Sequence, residues 1–183
     1  MSATYRAWQA GFVRRWHTNF DLCDTIDCDA GHQNRVCILI LKLFPDASRA
    51  LLVRAMTHDQ GEVATGDVPY DAKRANPALR RMVSDLEDAE IDGQGLPQPD
   101  ITDTEAQALK LCDWLDAWLW MMRHRPHLST RADWQAQLTA MIEAASSLGV
   151  SDLVASPVGS ALAAVRFVAD GVANDPGFFE VQP

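Results

Sequence analysis

Residues 57–74 read THDQGEVATGDVPYDAKR, and this stretch determines how the rest of the sequence is interpreted. It follows an apolar run with helical spacing and places four ionisable side chains close together, His58, Asp59, Glu62 and Asp67. Residues three and four positions apart share one face of a helix, so His58, Asp59 and Glu62 are expected to converge. An imidazole nitrogen beside carboxylate oxygens is a mixed set of donors that suits a divalent transition metal.

Helical periodicity extends upstream of this stretch. Tyr5, Trp8 and Phe12 recur at spacings of three and four, and a second apolar series follows Gly31. Ser48 is expected to cap the helix that leads into the metal-ligand candidates. The pattern predicts amphipathic helices rather than alternating strands.

Downstream of it, Asn76 and Pro77 are typical of a helix start, and Thr102 with Glu105 forms a capping box for a long helix to about Arg123. That helix is apolar on nearly every side, so we expect it to be buried, either centrally or in a subunit contact.

The remaining sequence completes an all-α prediction. A further helix is predicted from Ser129 or Thr130 to Gly149, and a last one over residues 158–173. We interpret residues 1–183 as a single domain with an all-α helical bundle, in which a core of about 3–125 carries the motifs and C-terminal helices occupy about 129–175.

Composition narrows the functional classes. The chain has 183 residues, a net charge of −9 and a sequence pI of about 4.9, which argues against binding long nucleic acid. It contains no apolar run long enough for a membrane span and begins with no secretory pattern. Its four cysteines are too scattered for a disulfide scaffold. We therefore expect a cytoplasmic protein, or one in the host cytoplasm if a phage encodes it, with neither nucleic-acid nor membrane partners.

Two further residues are candidates for the same chemistry. His32 lies near the start of a predicted helix, and Asp113 lies within the apolar helix, where an unpaired carboxylate is costly. A bound cation would offset that cost. Asp116, one turn further along, is the alternative ligand.

The motifs resemble those of the HD-domain phosphohydrolases. His32, the His58-Asp59 pair and Asp113 match the H…HD…D signature of that superfamily. More narrowly, RRWH at 14–17, HDQGEVATGDVPYDAKR at 58–74 and KLCD at 110–113 resemble the bacterial 5′-deoxynucleotidases and the related phage deoxynucleoside triphosphate (dATP) hydrolases.

The resemblance implies an HD-type helical fold in which His32, His58, Asp59 and Asp113 hold one divalent cation, whether Co, Mn, Zn or Mg. It also implies that Glu62 and Asp67 belong to the catalytic site, and that the nucleotide is contacted by Arg15, Trp16, Lys73 and Lys110. The expected substrate is a small deoxynucleotide, from which hydrolysis of the 5′-phosphoester releases the deoxynucleoside and phosphate or triphosphate. Relatives are commonly oligomeric, so a homo-oligomer is expected.

Two other interpretations are open. A different HD activity, such as a cyclic-nucleotide phosphodiesterase or a (p)ppGpp hydrolase, would use the same metal motif. The segment containing Cys23, Cys28, His32 and Cys37 instead suggests a non-enzymatic zinc-binding interaction module. The spacing of five between His32 and Cys37 argues against that module, because on a helix it turns the two side chains about 140° apart.

Overall fold

The computed structural model describes residues 2–160, and within this range the protein is all-helical. The helices are α1 (Ala3–Ala10), α2 (Asp29–Leu43), α3 (Arg49–Thr57), α4 (Glu62–Thr65), α5 (Tyr70–Ala75), α6 (Pro77–Gln94), α7 (Asp103–His124) and α8 (Ala132–Ser147). A 3₁₀ helix, Pro126–Thr130, precedes α8, and residues 151–160 are also helical. The all-α prediction is confirmed.

Extended structure is confined to one backbone pairing in residues 2–160, an antiparallel bridge between Arg14 and Cys28. This bridge ties the loop after α1 to the start of α2. None of the helices in that range combines the length and apolar character needed to span a bilayer.

Local capping explains several helix starts. The Ser48 hydroxyl accepts a hydrogen bond from the backbone N–H of Leu51 at 3.0 Å, and Asn76 caps α6 with Pro77 at its first position. At the start of α7 the backbone N–H of Glu105 donates to the Thr102 hydroxyl, while the Glu105 carboxylate accepts from the Thr102 N–H at 2.9 Å. These caps were predicted because each needs only residues close in sequence.

Two helix ends differ from the sequence interpretation. α3 ends at Thr57 rather than continuing through the acidic stretch, and a new helix begins at Glu62. α6 extends to Gln94, although the glycines and prolines of residues 92–101 predict a loop, and it stops where Gly95 adopts a left-handed φ of 68°. The predicted last helix, 158–173, lies almost entirely outside the described residues.

Burial follows the predicted pattern on α7 but not on every helix. Leu111, Leu115 and Trp118 on α7 are fully buried, as expected for a helix that is apolar all round. On α1 and α6, in contrast, the apolar residues Trp8 and Met82 are 60% and 56% exposed. Apolar residues on each of these two helices therefore remain in solvent.

Contacts divide the described residues into two compact units, with the boundary between Asp116 and Ala117 inside α7. The core of the first unit includes Val36, Ile40, Leu51 and Leu111. Every predicted site residue belongs to the first unit. The single-domain organisation, with its core of about 3–125, stays a prediction.

Candidate metal centre

α2 carries His32 into the interior. The helix begins three residues earlier than His32, at Asp29, so the histidine lies in the first turns rather than at the start. Its side chain is completely buried, and its backbone N–H donates to the carbonyl of Cys28 at 3.0 Å. The ring is thus fixed on a rigid element with both nitrogens facing protein groups.

His58 and Asp59 lie in the turn between α3 and α4, and Glu62 begins α4. The three residues converge because the chain turns between these helices, not because they share one continuous helical face. The Nδ1 atom of His58 lies 2.8 Å from the carbonyl oxygen of Ala55. Since a carbonyl can only accept, Nδ1 carries the proton and the Nε2 lone pair is left free for a ligand role.

α7 contributes two aspartates to opposite sides of the His32 ring. Asp113 Oδ1 lies 3.3 Å from His32 Nε2, whereas Asp116 Oδ2 lies 2.7 Å from His32 Nδ1. Asp113 therefore lies on the side where His58 and Asp59 converge, and Asp116 lies at the other ring nitrogen. This geometry favours Asp113 over Asp116 as the direct ligand.

Three donor atoms lie around one point. His32 Nε2 is 3.2 Å from His58 Nε2, and Asp59 Oδ2 is 3.4 Å from each of these two nitrogens. Tetrahedral coordination with metal–ligand distances of about 2.0–2.1 Å separates neighbouring ligand atoms by about 3.4 Å. The His32, His58 and Asp59 side chains form a possible metal-binding cluster, and the Asp113 carboxylate lies beside it.

The charges at this cluster balance one another. Burial opposes ionisation of Asp113, but its hydrogen bond with His32 and the charge of Lys110 hold its pKa well below the usual range. Burial lowers the pKa of His32, but the hydrogen bonds to Asp113 and Asp116 outweigh burial and raise the pKa to about 9. Buried carboxylates and imidazoles at this spacing need either a proton or a cation between them.

Arg35 and Asp27 support the Asp116 side of the cluster. Arg35 Nε donates to Asp116 Oδ1 at 2.7 Å, and Arg35 Nη2 donates to Asp27 Oδ2 at 2.9 Å. Partners of this kind orient a ligating histidine and fix its tautomer. Sequence reasoning missed both residues, because 81 positions separate Arg35 from Asp116 and no local pattern connects them.

Arg15, Trp16 and Asp67 form a corner beside the cluster. Arg15 Nη1 donates to Asp59 Oδ2 at 2.9 Å. Trp16 has a left-handed φ of 64°, which is rare for a side chain of this size, and its backbone N–H donates to Asp67 Oδ2 at 3.0 Å. Asp67 therefore holds the backbone conformation that turns Arg15 toward Asp59.

A second group of carboxylates lies against Asp59. The carboxylate oxygens of Asp29, Asp59 and Glu62 lie within 4.8 Å of one another, and Asp29 and Glu62 are buried. Burial and the negative charge of Asp59 raise the pKa of Asp29 to about 8. The same causes, with the charge of Asp29 added, raise the pKa of Glu62 to about 10. Reasoning from the sequence did not identify Asp29.

The two lysines occupy different positions. Lys110 Nζ donates to Asp113 Oδ2 at 2.7 Å, so it adjoins the cluster. Lys73 lies on α5, where its charge partly offsets the rise in the pKa of Glu87 that burial causes. Within residues 2–160 the structure gives no hydrogen bond or ion pair between Lys73 and the four candidate ligands.

The cysteines do not support the zinc-module alternative. Among the described residues, neither group of three or more potential metal ligands contains a cysteine. Cys23 is exposed, and Cys37 Sγ faces the carbonyl of Leu52 at 3.9 Å. His32, the only histidine in that alternative, is engaged with His58 and the aspartates instead.

Comparison of the chain with known protein families, with curated proteins and with solved structures found no match. Function is therefore inferred from the geometry of the site and from the motifs in the sequence.

Proposed function

We propose that the protein is a divalent-metal-dependent phosphohydrolase that cleaves the 5′-phosphoester of small deoxynucleotides. The observation that carries the proposal is the convergence of His32 Nε2, His58 Nε2 and Asp59 Oδ2, with separations of 3.2–3.4 Å, and the position of Asp113 Oδ1 at 3.3 Å from His32 Nε2. Two imidazoles and two carboxylates are a donor set suited to Zn²⁺, Mn²⁺ or Co²⁺, and Mg²⁺ is included as a weaker fit.

A cation held by these donors would supply the chemistry of hydrolysis, and neighbouring groups orient the two histidines. When bound, such a cation polarises a phosphoryl oxygen and activates water for attack at phosphorus. His58 contributes a fixed tautomer, because Ala55 accepts its Nδ1 proton. Asp116 fixes the ring of His32 in the same way from the other side.

Glu62 is proposed as the group that transfers the proton. Its carboxyl group is buried beside Asp59, and burial raises its pKa to about 10, so a protonated form is available at neutral pH. In the proposed reaction water adds to phosphorus and loses a proton, the bond between phosphorus and the 5′-oxygen breaks, and Glu62 gives its proton to the leaving oxygen and regains one from the water. Such proton transfer contributes roughly a hundredfold to ten-thousandfold to the rate.

Basic residues next to the cluster suit a phosphate group. Burial opposes the charge of Arg15, but the carboxylates around it, Asp59 foremost, raise its pKa, so it stays charged. Its planar guanidinium can hold two phosphate oxygens at once. Lys110 adjoins Asp113, and Lys73 is assigned to the phosphate by the sequence motif alone. Trp16, beside the Arg15 guanidinium at 5.8 Å, is proposed to stack on the nucleoside.

Monophosphates and triphosphates are both proposed substrates, because the same bond is cut in each. A monophosphate would give the deoxynucleoside and phosphate, and a triphosphate would give the deoxynucleoside and intact triphosphate. The net charge of −9 favours a small partner over long nucleic acid, and the protein is proposed to act as a homo-oligomer.

The decisive experiment is a panel of deoxynucleoside mono- and triphosphates assayed with Mn²⁺, Co²⁺, Zn²⁺ and Mg²⁺, each reaction run in H₂¹⁸O. We expect activity to require the metal and the label to enter only the phosphate or triphosphate product. Cyclic nucleotides and (p)ppGpp complete the panel, and preference for either would replace the proposal with the other HD activities. Label in the nucleoside hydroxyl, or stepwise loss of the γ-phosphate, would show that attack does not occur at the phosphorus next to the sugar.

A matched pair of variants tests the metal site itself. His58→Ala should lose both bound metal and activity while remaining helical by circular dichroism. His127→Ala, in the 3₁₀ helix, should keep both. Stoichiometric metal and normal turnover in the His58 variant would contradict the assignment.

A further inference from the structure

Asp29 is a buried carboxylate without a hydrogen-bond partner, although the charges of Arg15 and His32 act on it. Its side chain is 0% exposed, and neither Oδ1 nor Oδ2 has a hydrogen-bond partner. The residue is held in place by its backbone, because its N–H donates to the carbonyl of Val13 at 3.1 Å. An isolated buried carboxylate is strongly disfavoured, so a further species must compensate these two oxygens.

The neighbours of Asp29 indicate what that species is. Its carboxylate is directed at those of Asp59 and Glu62, all three within 4.8 Å. Glu62 is also buried, and its Oε2 atom likewise has no hydrogen-bond partner. Three oxygens that lack hydrogen-bond donors thus lie close together, and the charged Arg15, which donates to Asp59, is the basic group next to them.

We propose that Asp29, Asp59 and Glu62 form a second divalent-cation site, adjacent to the His32–His58 site and sharing Asp59 with it. Its donors are all carboxylate oxygens, so it selects a hard cation such as Mg²⁺ or Mn²⁺. The first site, with its two imidazoles, selects a softer ion. The two sites therefore differ in the metal they prefer.

This inference rests on the proposed function, because it places the second cation beside the same phosphate. Pairs of cations about 3.5–4 Å apart stabilise both the attacking and the leaving oxygen in phosphoester hydrolysis. With the cation bound, Glu62 would be ionised: one oxygen would bind the cation, and the other would accept a proton from the attacking water and pass it to the leaving oxygen. Asp29 would then act on the reaction only through the cation that it holds.

The competing explanation is a proton shared between Asp29 and Glu62. A shared proton satisfies the same oxygens without a metal, and it would leave the protein with one cation per chain. Counting the bound ions separates the two explanations.

The test is a Mn²⁺ titration of chelator-treated full-length protein at pH 8, followed by electron paramagnetic resonance. We expect two Mn²⁺ per wild-type chain, with the magnetic coupling of ions about 4 Å apart. Asp29→Asn should bind one ion and lose the coupling, and Asp46→Asn, which alters an exposed acid, should still bind two. One ion in the wild type, or two coupled ions in the Asp29 variant, would overturn the proposal.

The test remains decisive even if the Asp29→Asn variant does not fold. If Asp29→Asn loses its helical circular dichroism, the wild-type count and coupling decide alone: two coupled ions support the second site, and one ion or two uncoupled ions overturn it. One ion together with deoxynucleotide hydrolysis would refute the second site but keep the proposed function. Two coupled ions without any such hydrolysis would refute the proposed function and keep the second site.

Discussion

The Nδ1 atom of His32 lies 2.7 Å from Oδ2 of Asp116, on the side of the ring that faces away from the convergent donors. Because a carboxylate can only accept, the proton resides on Nδ1 in the neutral ring and the Nε2 lone pair is directed at the metal site. Asp113 and Asp116, three positions apart on α7, thus face different nitrogens of the His32 ring: Asp113 faces Nε2 and Asp116 faces Nδ1.

Asp113→Asn and Asp116→Asn should therefore behave differently. The Asp113 variant loses a proposed direct ligand, so it should fail to retain stoichiometric metal. The Asp116 variant should keep the site but bind metal roughly 10–100-fold more weakly, as expected when a partner of a ligating histidine is removed. Isothermal titration with Zn²⁺ measures both values. The reverse order of affinities would make Asp116 the ligand.

Glu62→Gln should lose rate without losing the cation held by the two histidines. The amide cannot transfer the proton, so kcat should fall roughly a hundredfold to ten-thousandfold. Zn²⁺ content, measured by atomic absorption, reports the histidine site. Glu143→Gln, on α8 and exposed, is the matched control and should leave both values unchanged. A variant that lost Zn²⁺ as fully as His58→Ala would place Glu62 among the ligands of the first site.

Gly61→Ala should destabilise the turn that carries Asp59 and Glu62. A Cβ at position 61 would lie 2.5 Å from the backbone oxygen of Glu87, so the chain must shift. We expect a loss of about 1–3 kcal/mol in the free energy of unfolding, measured in urea. Gly93→Ala is the control, because its Cβ would meet nothing within 4 Å and alanine favours the helix. Equal effects at the two glycines would show that the contact is unimportant.

Metal removal should make stability fall with pH. In the metal-free protein the pKa values of Asp29 and Glu62 are about 8 and about 10, above the roughly 3.9 and 4.3 of an unfolded chain. The folded state then holds protons that the unfolded state releases, so the free energy of unfolding decreases as the pH rises.

The pKa of His32, about 9, acts in the same direction above the value of roughly 6.5 in an unfolded chain. Thermal unfolding of chelator-treated protein should thus occur at lower temperature at pH 9 than at pH 6.5, and Asp29→Asn should reduce the difference. Added Mn²⁺ should restore stability at the higher pH. Stability that rose between these pH values without metal would contradict the assigned shifts.

Self-association should be detectable by light scattering at micromolar concentration as a mass that is a multiple of 20.2 kDa. The sequence suggested α7 as the contact, but an exposed apolar row lies on α1 and the turn after it, where the ring centroids of Trp8 and Phe12 are 4.8 Å apart. Trp8→Glu should therefore lower the mass, whereas Phe20→Ser, at a separate exposed residue, should not. A monomer mass for the wild type would refute the expectation.

Features that depend on local sequence were predictable. Ser48, Asn76 and the Thr102–Glu105 pair cap helices through partners only two or three residues away, and all were identified from the sequence. The convergence of His58 and Asp59 was also predicted, although the structure achieves it with a turn.

Features that depend on distant contacts were not predictable from one sequence. Asp29 has no neighbour in the sequence that suggests a metal site, and its role follows only from where Asp59 and Glu62 come to lie. Likewise, nothing near Arg35 indicates that it joins two acids. The exposure of Trp8 was not predictable either, because an amphipathic pattern does not reveal whether another element covers the apolar face of the helix.

The polar row that runs from Asp27 through Arg35 to Asp116 and His32 alternates acid and base. Each member balances the charge of its neighbours, so the loss of one leaves an uncompensated charge in a place that water scarcely reaches. Among diverging descendants of this chain, positions 27, 35 and 116 should consequently be inherited or replaced as a set. A lineage that exchanged Arg35 for a neutral residue would be under selection to neutralise an acid on one side of it.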